Sequence, residues 1–136
     1  MTDKQLDSFE QTIDFFIKTI LSKKAMAVVA LDVRDLTSVA DAFIICSGRS
    51  NRQVAALAEF IKKDLKNQGK KALSIEGRKD GHWVLMDYGD VIIHIFYEPL
   101  RSFYDLEGLW ADARRIQITD QDEPEGKNPD MEVFIE

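Results

Sequence analysis

The sequence contains a single cysteine, Cys46, in 136 residues, and this scarcity excludes an intramolecular disulfide framework. It also has no run of the roughly 18 apolar residues that a membrane-spanning helix needs. Its first residues, MTDKQLDSFEQ, lack the basic, then apolar, then small-residue order of a secretory signal peptide. We therefore expect a protein of a reducing compartment, the cytoplasm, with no membrane among its partners.

Patterns for metal binding or nucleophilic catalysis are also missing. The two histidines, His82 and His94, have no further His or Cys at the spacing of a zinc site, and no Gly-x-Ser-x-Gly elbow is present. Cys46 lies in an apolar segment, where a thiol is usually buried and unreactive. These absences argue against a metal site and against a cysteine nucleophile.

The sequence also lacks an excess of basic residues. Residues 1–116 hold 17 acidic and 17 basic residues, whereas residues 117–136 hold seven acidic residues and one basic, which accounts for the whole net charge of -6. A neutral body has no overall field to draw it onto nucleic acid, so we expect protein contacts and only limited direct RNA contact. The composition predicts one domain over 1–116 and a flexible acidic tail over 117–136.

Hydrophobic periodicity predicts an α/β domain. Apolar residues recur at helical spacing over 3–23, and a second helix should begin at a capping box, Ser50 with Gln53, and end at Gly69. Short apolar stretches predict strands at 25–33, 42–47 and 71–76, a hairpin within 82–96 and a short helix over 101–110. The helical crossover between 42–47 and 71–76 predicts a parallel pair, so we expect a mixed sheet of about five strands with flanking helices.

The hairpin HWVLMDYGDVIIHIF is apolar on both faces, which is unusual for an antiparallel pair. A turn at Tyr88-Gly89 would set Asp87 opposite Asp90. One face then carries Val84, Met86, Val91, Ile93 and Ile95, which suits the core. The other face and its turn give the candidate partner-binding residues Trp83, Leu85, Asp87, Tyr88, Asp90, Ile92 and His94. Two interpretations remain open: a partner covers this face, or one of the chain's own helices covers it and Trp83 is core.

A different class of function is suggested by SGRSNRQ, which follows a strand and begins a helix. Backbone amides at Gly48 and Ser50, with Arg49 and Arg52, could hold a phosphate, as in a nucleotidyltransferase-like enzyme. That chemistry requires two carboxylates two residues apart on one strand to hold paired metal ions, and no such pair is present. The capping role of Ser50 explains that residue without catalysis.

Several motifs, in order, are similar to the ribosomal silencing factor family, also called the Iojap family. They are ALDVRDLTSVADAFIICSGRSNRQVAALAEFI, EGRKDGHWVLMDYGDVIIHIF and RSFYDLEGLWADA. The resemblance covers about residues 5–116 and shows no departure there, with only the tail outside it. It implies a fold like a nucleotidyltransferase that lacks the catalytic carboxylates, with no cofactor and no reaction.

The resemblance also implies a partner. Members of this family bind the large ribosomal subunit through its fourteenth protein, uL14, and block joining with the small subunit when nutrients are short. It therefore favours the Trp83 face and the Asp87–Asp90 turn as the docking surface, since a ribosomal protein surrounded by RNA is basic. A homodimer that pairs this apolar face with itself when free is a further alternative.

Overall fold

The computed structural model describes the backbone of residues 2–118 and the side chains of residues 8–118. Nearly all of the predicted acidic tail, residues 117–136, therefore lies outside the described residues. Among the helices of residues 2–118, none is long and apolar enough to cross a membrane.

Ten helices and strands make up the described chain. They are α1 (Thr2–Ser22), β1 (Met26–Asp32), β2 (Ala42–Gly48), α2 (Asn51–Asn67), β3 (Ser74–Glu76), β4 (Trp83–Asp87), β5 (Val91–Tyr97), α3 (Glu98–Tyr104), α4 (Leu106–Leu109) and β6 (Arg114–Ile116). The predicted α/β class is confirmed. The predicted helix over 101–110 is wrong in detail, because the backbone of Asp105 adopts a left-handed conformation (φ 47°) and divides it into α3 and α4.

The sheet has six strands in the order β3-β4-β5-β2-β1-β6, one more than predicted. The extra strand, β6, has only three residues and pairs with β1. A parallel pair is present, but β2 pairs with β5 and not, as predicted, with the strand that directly follows α2. That strand, β3, is a short, mostly exposed edge strand, whereas β5 is almost wholly buried and suits the centre of a sheet.

Two layers of very different size cover the sheet. On one face, α1 and α2 contribute Ile13, Phe16, Ile20, Leu57 and Ile61 to a core with the inward residues of the central strands. On the other face, a second apolar cluster of Leu31, Val33, Phe43, Ile45, Ile92 and Phe96 is joined by Leu106, Trp110 and Ala113 from the segment after β5. The helices on this face have seven and four residues, against 21 and 17 on the first.

The hairpin turn lies one residue later than predicted, at Gly89-Asp90. Tyr88 N donates to Val91 O at 2.9 Å and closes the turn. Gly89 has φ 89° whereas Asp90 does not have a positive φ, which is the pattern of a type II′ turn with glycine at its first central position. The side chain of Asp87 supports this turn, because its Oδ1 accepts from Gly89 N at 2.8 Å.

The predicted pairing of Asp87 with Asp90 is therefore wrong. The observed pairs are Trp83 with Phe96, Leu85 with His94 and Asp87 with Ile92. Each partner is displaced by two residues from the predicted register, and side chains alternate with a period of two. The predicted division of the strand residues into two faces is for that reason correct although the turn is not.

Candidate protein-docking surface

Aromatic rings form a connected row across the face that α3 and α4 cover. Tyr104 lies 4.9 Å from Trp83, measured between ring centroids, and Trp83 stacks on Phe96 at 4.8 Å. Phe43 lies 5.4 Å from His94 and 5.0 Å from Trp110. We call this surface the aromatic face and define it as Phe43, Trp83, Leu85, His94, Phe96, Phe103, Tyr104, Leu109 and Trp110.

The aromatic face is partly covered. Phe96 is fully buried and His94 is 5% exposed, so the rings beneath α3 and α4 belong to the core. Trp83, Leu85 and Trp110 are half-buried. Short helices therefore cover the centre of this face, while the indole at its edge still reaches solvent, so docking of a partner at that edge stays a prediction.

Three apolar side chains of the covering segment point outward. Phe103 and Leu109 are each 77% exposed and Tyr104 is 44% exposed. Phe103 contacts Tyr104 edge-on at 5.2 Å, which extends the row of rings onto the surface. Exposed apolar groups that adjoin half-buried aromatic rings are typical of a protein-binding site.

Arg101 fixes this covering segment to the sheet. Its Nη1 donates to Ser47 Oγ at the end of β2 at 2.9 Å, and its Nε donates to Glu107 Oε1 at 2.9 Å. The guanidinium also lowers the pKa of the Glu107 carboxyl. One partly buried cation therefore joins α3, α4 and β2, so the exposed rings are presented on a fixed support.

The structure brings five of the seven predicted binding residues to one face. They are Trp83, Leu85, Asp87, Ile92 and His94, although Ile92 is only 7% exposed and His94 only 5%. Because these two side chains lie beneath the covering segment, they support the surface rather than form it. Asp90 is exposed in the turn, where its carbonyl accepts from Asp41 N and Ala42 N.

The predicted placement of Tyr88 is wrong. Its ring lies on the α1 side of the sheet, 5.3 Å from the ring of Phe16. The reason is the register, which pairs Tyr88 with Val91 on the core face. Its hydroxyl is buried without a hydrogen-bond partner among the described residues, and burial raises the pKa of Tyr88 to about 12.

Sequence reasoning missed Phe103, Tyr104, Leu109 and Trp110 as surface residues. The motif FYDLEGLW that contains them predicts one short helix, and a single helix does not show that these side chains are exposed. The signal was Gly108: a Cβ there would lie 2.1 Å from Asp105 Oδ2, because the Asp105 carboxylate caps α4. With the helix divided at Asp105, only Leu106 of α3 and α4 is buried.

His94 is neutral in the folded protein. Its Nδ1 accepts from Trp83 Nε1 at 3.1 Å, which assigns the ring proton to Nε2, and Nε2 is buried without a partner among the described residues. Burial lowers the pKa of His94 to about 4. Protonation would place an uncompensated charge beneath the aromatic face.

This predicts a pH dependence of stability between about pH 6.5 and pH 4. In that window the unfolded chain, with an ordinary histidine pKa of 6.5, binds a proton that the folded protein does not bind. The contribution of neutral His94 to stability is therefore complete above pH 6.5. The free energy of unfolding should fall by about 2 kcal/mol between pH 6.5 and pH 5. Urea unfolding at pH 7 and pH 5 measures it.

The two histidines supply a matched control for that measurement. The imidazole of His82 is exposed, so His82→Gln should retain the loss, whereas His94→Gln should abolish most of it. The pKa values of the Asp32 and Glu107 carboxyls are also lowered in the folded protein, but their effect on stability lies mainly below pH 5, outside the range of this comparison. An undiminished loss in His94→Gln would refute the assignment.

Two residues of the predicted phosphate site, Gly48 and Ser50, have structural roles. Ser50 Oγ accepts from Gln53 N at 3.0 Å, as the predicted capping box requires, whereas Gln53 Oε1 accepts from Arg49 N and not from Ser50 N. A Cβ on Gly48 would lie 3.0 Å from Val54 Cγ2, so close packing of α2 explains that glycine.

Cys46 is fully buried, as predicted, and burial raises its pKa to about 12. Within residues 2–118, no group of His, Cys, Asp and Glu could hold a metal ion.

Comparison with known proteins gives three concordant likenesses. Residues 6–133 match the model of a family described as ribosomal silencing factor during starvation. The ribosomal silencing factor of Halalkalibacterium halodurans is 38% identical over 111 residues, which cover 82% of this chain and 95% of that protein. The mouse protein named mitochondrial assembly of ribosomal large subunit protein 1 is 28% identical over 120 residues, covering 83% of this chain and 53% of that protein.

The fold is also similar to solved structures. A crystal structure of a Chromobacterium violaceum protein superposes with a TM-score of 0.72 at 34% identity, covering 81% of this chain and 91% of that one. At this identity and coverage the likeness extends over most of the chain.

Proposed function

Because the chain belongs to the ribosomal silencing factor family, we propose that its aromatic face binds the large-subunit ribosomal protein uL14 and that the bound protein prevents the small subunit from joining. It would act in the cytoplasm and lower translation when nutrients are limited. Neither a cofactor nor a reaction is part of this proposal. The mouse relative's name, which refers to assembly of the large ribosomal subunit, supports the choice of subunit.

The observation that carries the proposal is the exposure of Phe103, Tyr104 and Leu109 beside the half-buried Trp83. Aromatic residues are enriched in protein interfaces, and hot spots cluster where a partner can exclude water around them. Arg101 holds this surface in place, so little conformational entropy would be lost when a partner docks. A prearranged apolar surface with aromatic anchors fits a folded protein partner.

The mechanism would be steric. A domain of this length has a radius of gyration of about 13 Å, so it occupies a volume that a second subunit cannot share. Binding to the large subunit would therefore need only to keep the protein at the subunit interface. The small subunit and this protein would then compete for the same surface without any chemical step.

Sedimentation with separated ribosomal subunits tests the proposal. The protein should travel with the large subunit and not with the small one, and it should reduce the formation of joined ribosomes when both subunits are mixed. Sizing the free protein over a range of concentrations separates this from the homodimer alternative. Co-sedimentation with the small subunit, or unchanged joining at saturation, would overturn the proposal.

Asp90 provides a test of charge complementarity. It is exposed in the turn, and its carboxylate accepts no hydrogen bond from the described residues. Reversing one charge about 8 Å from a partner cation changes the interaction in water by about 1 kcal/mol. We therefore expect Asp90→Lys to slow association with the large subunit roughly fivefold at low salt, with a smaller effect at high salt. Stopped-flow association rates across a salt series measure this.

The control is Asp80→Lys, since Asp80 is exposed, forms no ion pair with the described residues and precedes β4 at the end of the hairpin opposite to the turn. It makes the same change in net charge but lies away from the turn. Equal slowing by both variants would mean that net charge alone governs association, which contradicts a role for the turn.

A further inference from the structure

A second surface, lined by cations, lies between α2 and β3. The groove has a volume of about 270 Å³ and is lined by Lys62, Lys66, Lys71, Ala72, Ser74, Ile75 and Arg78. Four of these seven residues are basic and none is acidic. We call it the basic groove.

The sequence concentrates its positive charge here. Residues 62–79 contain seven basic residues and two acidic ones, Asp64 and Glu76, although the folded body as a whole is neutral. Asp64 is occupied by an ion pair with Lys23 at 3.2 Å, outside the groove. Among the described residues, Lys62, Lys66 and Lys71 form no ion pair, so their charges face the groove uncompensated.

The walls of the basic groove are held in place. Arg78 Nη1 forms an ion pair with Glu59 Oε2 of α2 at 3.0 Å, which draws the loop after β3 towards the helix. That loop is closed by a hydrogen bond from Gly81 N to Gly77 O at 3.1 Å. Lys62 and Lys66 lie one turn apart on α2, so they rise about 6 Å along the same side.

We propose that the basic groove binds the phosphodiester backbone of RNA. Lysine is depleted in protein–protein interfaces, whereas phosphate oxygens are bound by Arg, Lys and Ser side chains, which is the set that lines this groove. The lining offers no aromatic ring for stacking and no acidic group for base recognition, so binding is to the backbone and independent of sequence. The overall charge of the sequence does not indicate this site, because acidic residues elsewhere on the surface make the folded body neutral.

The biological role of this RNA contact rests on the proposed function, in which the protein is bound to the large ribosomal subunit. β3 pairs with β4, with Ser74 opposite Asp87 and Glu76 opposite Leu85, so the groove lies at the β3 edge of the sheet, on the side of α2 and not on the aromatic face. A ribosomal protein docked on the aromatic face would have ribosomal RNA beside it. The basic groove then provides a separate, electrostatic contact for RNA that passes around this edge of the sheet.

RNA affinity measured without any ribosomal protein tests the inference. Fluorescence anisotropy with a labelled RNA hairpin of arbitrary sequence, over a salt series, should show weak binding that falls linearly with the logarithm of the salt concentration. In the double variant Lys66→Gln, Lys71→Gln the salt slope should fall by about 2. The control is Lys18→Gln, Lys24→Gln, which removes the same formal charge from two exposed lysines outside the groove, one on α1 and one just after it, and should leave the slope unchanged.

The outcomes separate the possible occupants. Equal loss in both double variants, or no binding at low salt, would overturn the proposal. Polyglutamate of similar charge competing as well as unlabelled RNA would do so too, since it would indicate an acidic polypeptide, the chain's own residues 117–136 included. Because the assay contains no ribosomal protein, its failure leaves the docking of uL14 on the aromatic face untouched.

Discussion

Trp83→Ala is expected to weaken binding to the large ribosomal subunit by about 2 kcal/mol or more, roughly thirtyfold in Kd. The indole is half-buried at the edge of the aromatic face and contacts both the buried Phe96 and the exposed Tyr104. Truncation would remove a large, rigid side chain that a partner can reach and leave a depression in the surface. Equilibrium binding of labelled protein to purified large subunits measures the change.

The same substitution should also reduce stability, because Trp83 supports the fold. Its ring stacks on Phe96 at 4.8 Å and its Nε1 donates to His94. Full burial would make the loss about 3–5 kcal/mol, so a half-buried indole should cost about 1–3 kcal/mol. Trp83→Phe retains an aromatic ring against Phe96 but leaves Nδ1 of the buried His94 without a donor, so it should still cost about 1 kcal/mol.

Phe103→Ser separates docking from folding. Since Phe103 is 77% exposed, its loss should change the free energy of unfolding by no more than about 0.5 kcal/mol and still weaken binding. Phe60→Ser is the matched control, because Phe60 is 55% exposed on α2, on the other side of the sheet. If Trp83→Ala and Phe103→Ser both bind like wild type, the aromatic face is not the docking surface.

Gly77→Ala is expected to lower the free energy of unfolding by about 3–4 kcal/mol. A Cβ at Gly77 would lie 2.0 Å from the backbone oxygen of Trp83, and the glycine has φ 88°. A backbone atom cannot move aside as a side chain does, so the connection from β3 to β4 must shift. Trp83 begins β4, so this strain reaches the aromatic face directly.

Gly69→Ala measures the conformational part of that effect separately. Gly69 has nearly the same backbone angle, φ 90°, but nothing lies within 4 Å of its added Cβ. It should cost about 1–2 kcal/mol, the usual penalty for a left-handed alanine. Urea unfolding of both variants should therefore differ by about 2 kcal/mol, and equal losses would show that the clash at Gly77 is relieved without penalty.

Much of the fold could be predicted from the sequence because periodicity determines which side chains are buried. The helix stripe of Val54, Leu57 and Ile61 and the alternation in the hairpin both follow from the order of apolar residues. Long-range pairing could not be predicted in the same way. The parallel partner of β2 depends on which strand can be buried on both faces, and that is decided by β5 in competition with the exposed β3.

The candidate site was predictable only in part. Trp83 and Leu85 follow from the two apolar faces of the hairpin, and they lie where the pattern placed them. Tyr88 did not, because a one-residue change in the turn moves a residue from the loop into the ladder. Phe103 and Leu109 depend on the left-handed backbone of Asp105, a local feature that hydrophobic periodicity does not report.

Site-specific photo-crosslinking tests the central claim most directly. A photoreactive benzoylphenylalanine would replace Phe103 in one variant and Phe60 in another, and each would be irradiated with purified large ribosomal subunits. We predict that the probe at position 103 crosslinks to uL14 and that the probe at position 60 does not. Crosslinking to uL14 from position 60 alone, or to a different ribosomal protein from position 103, would contradict docking through the aromatic face.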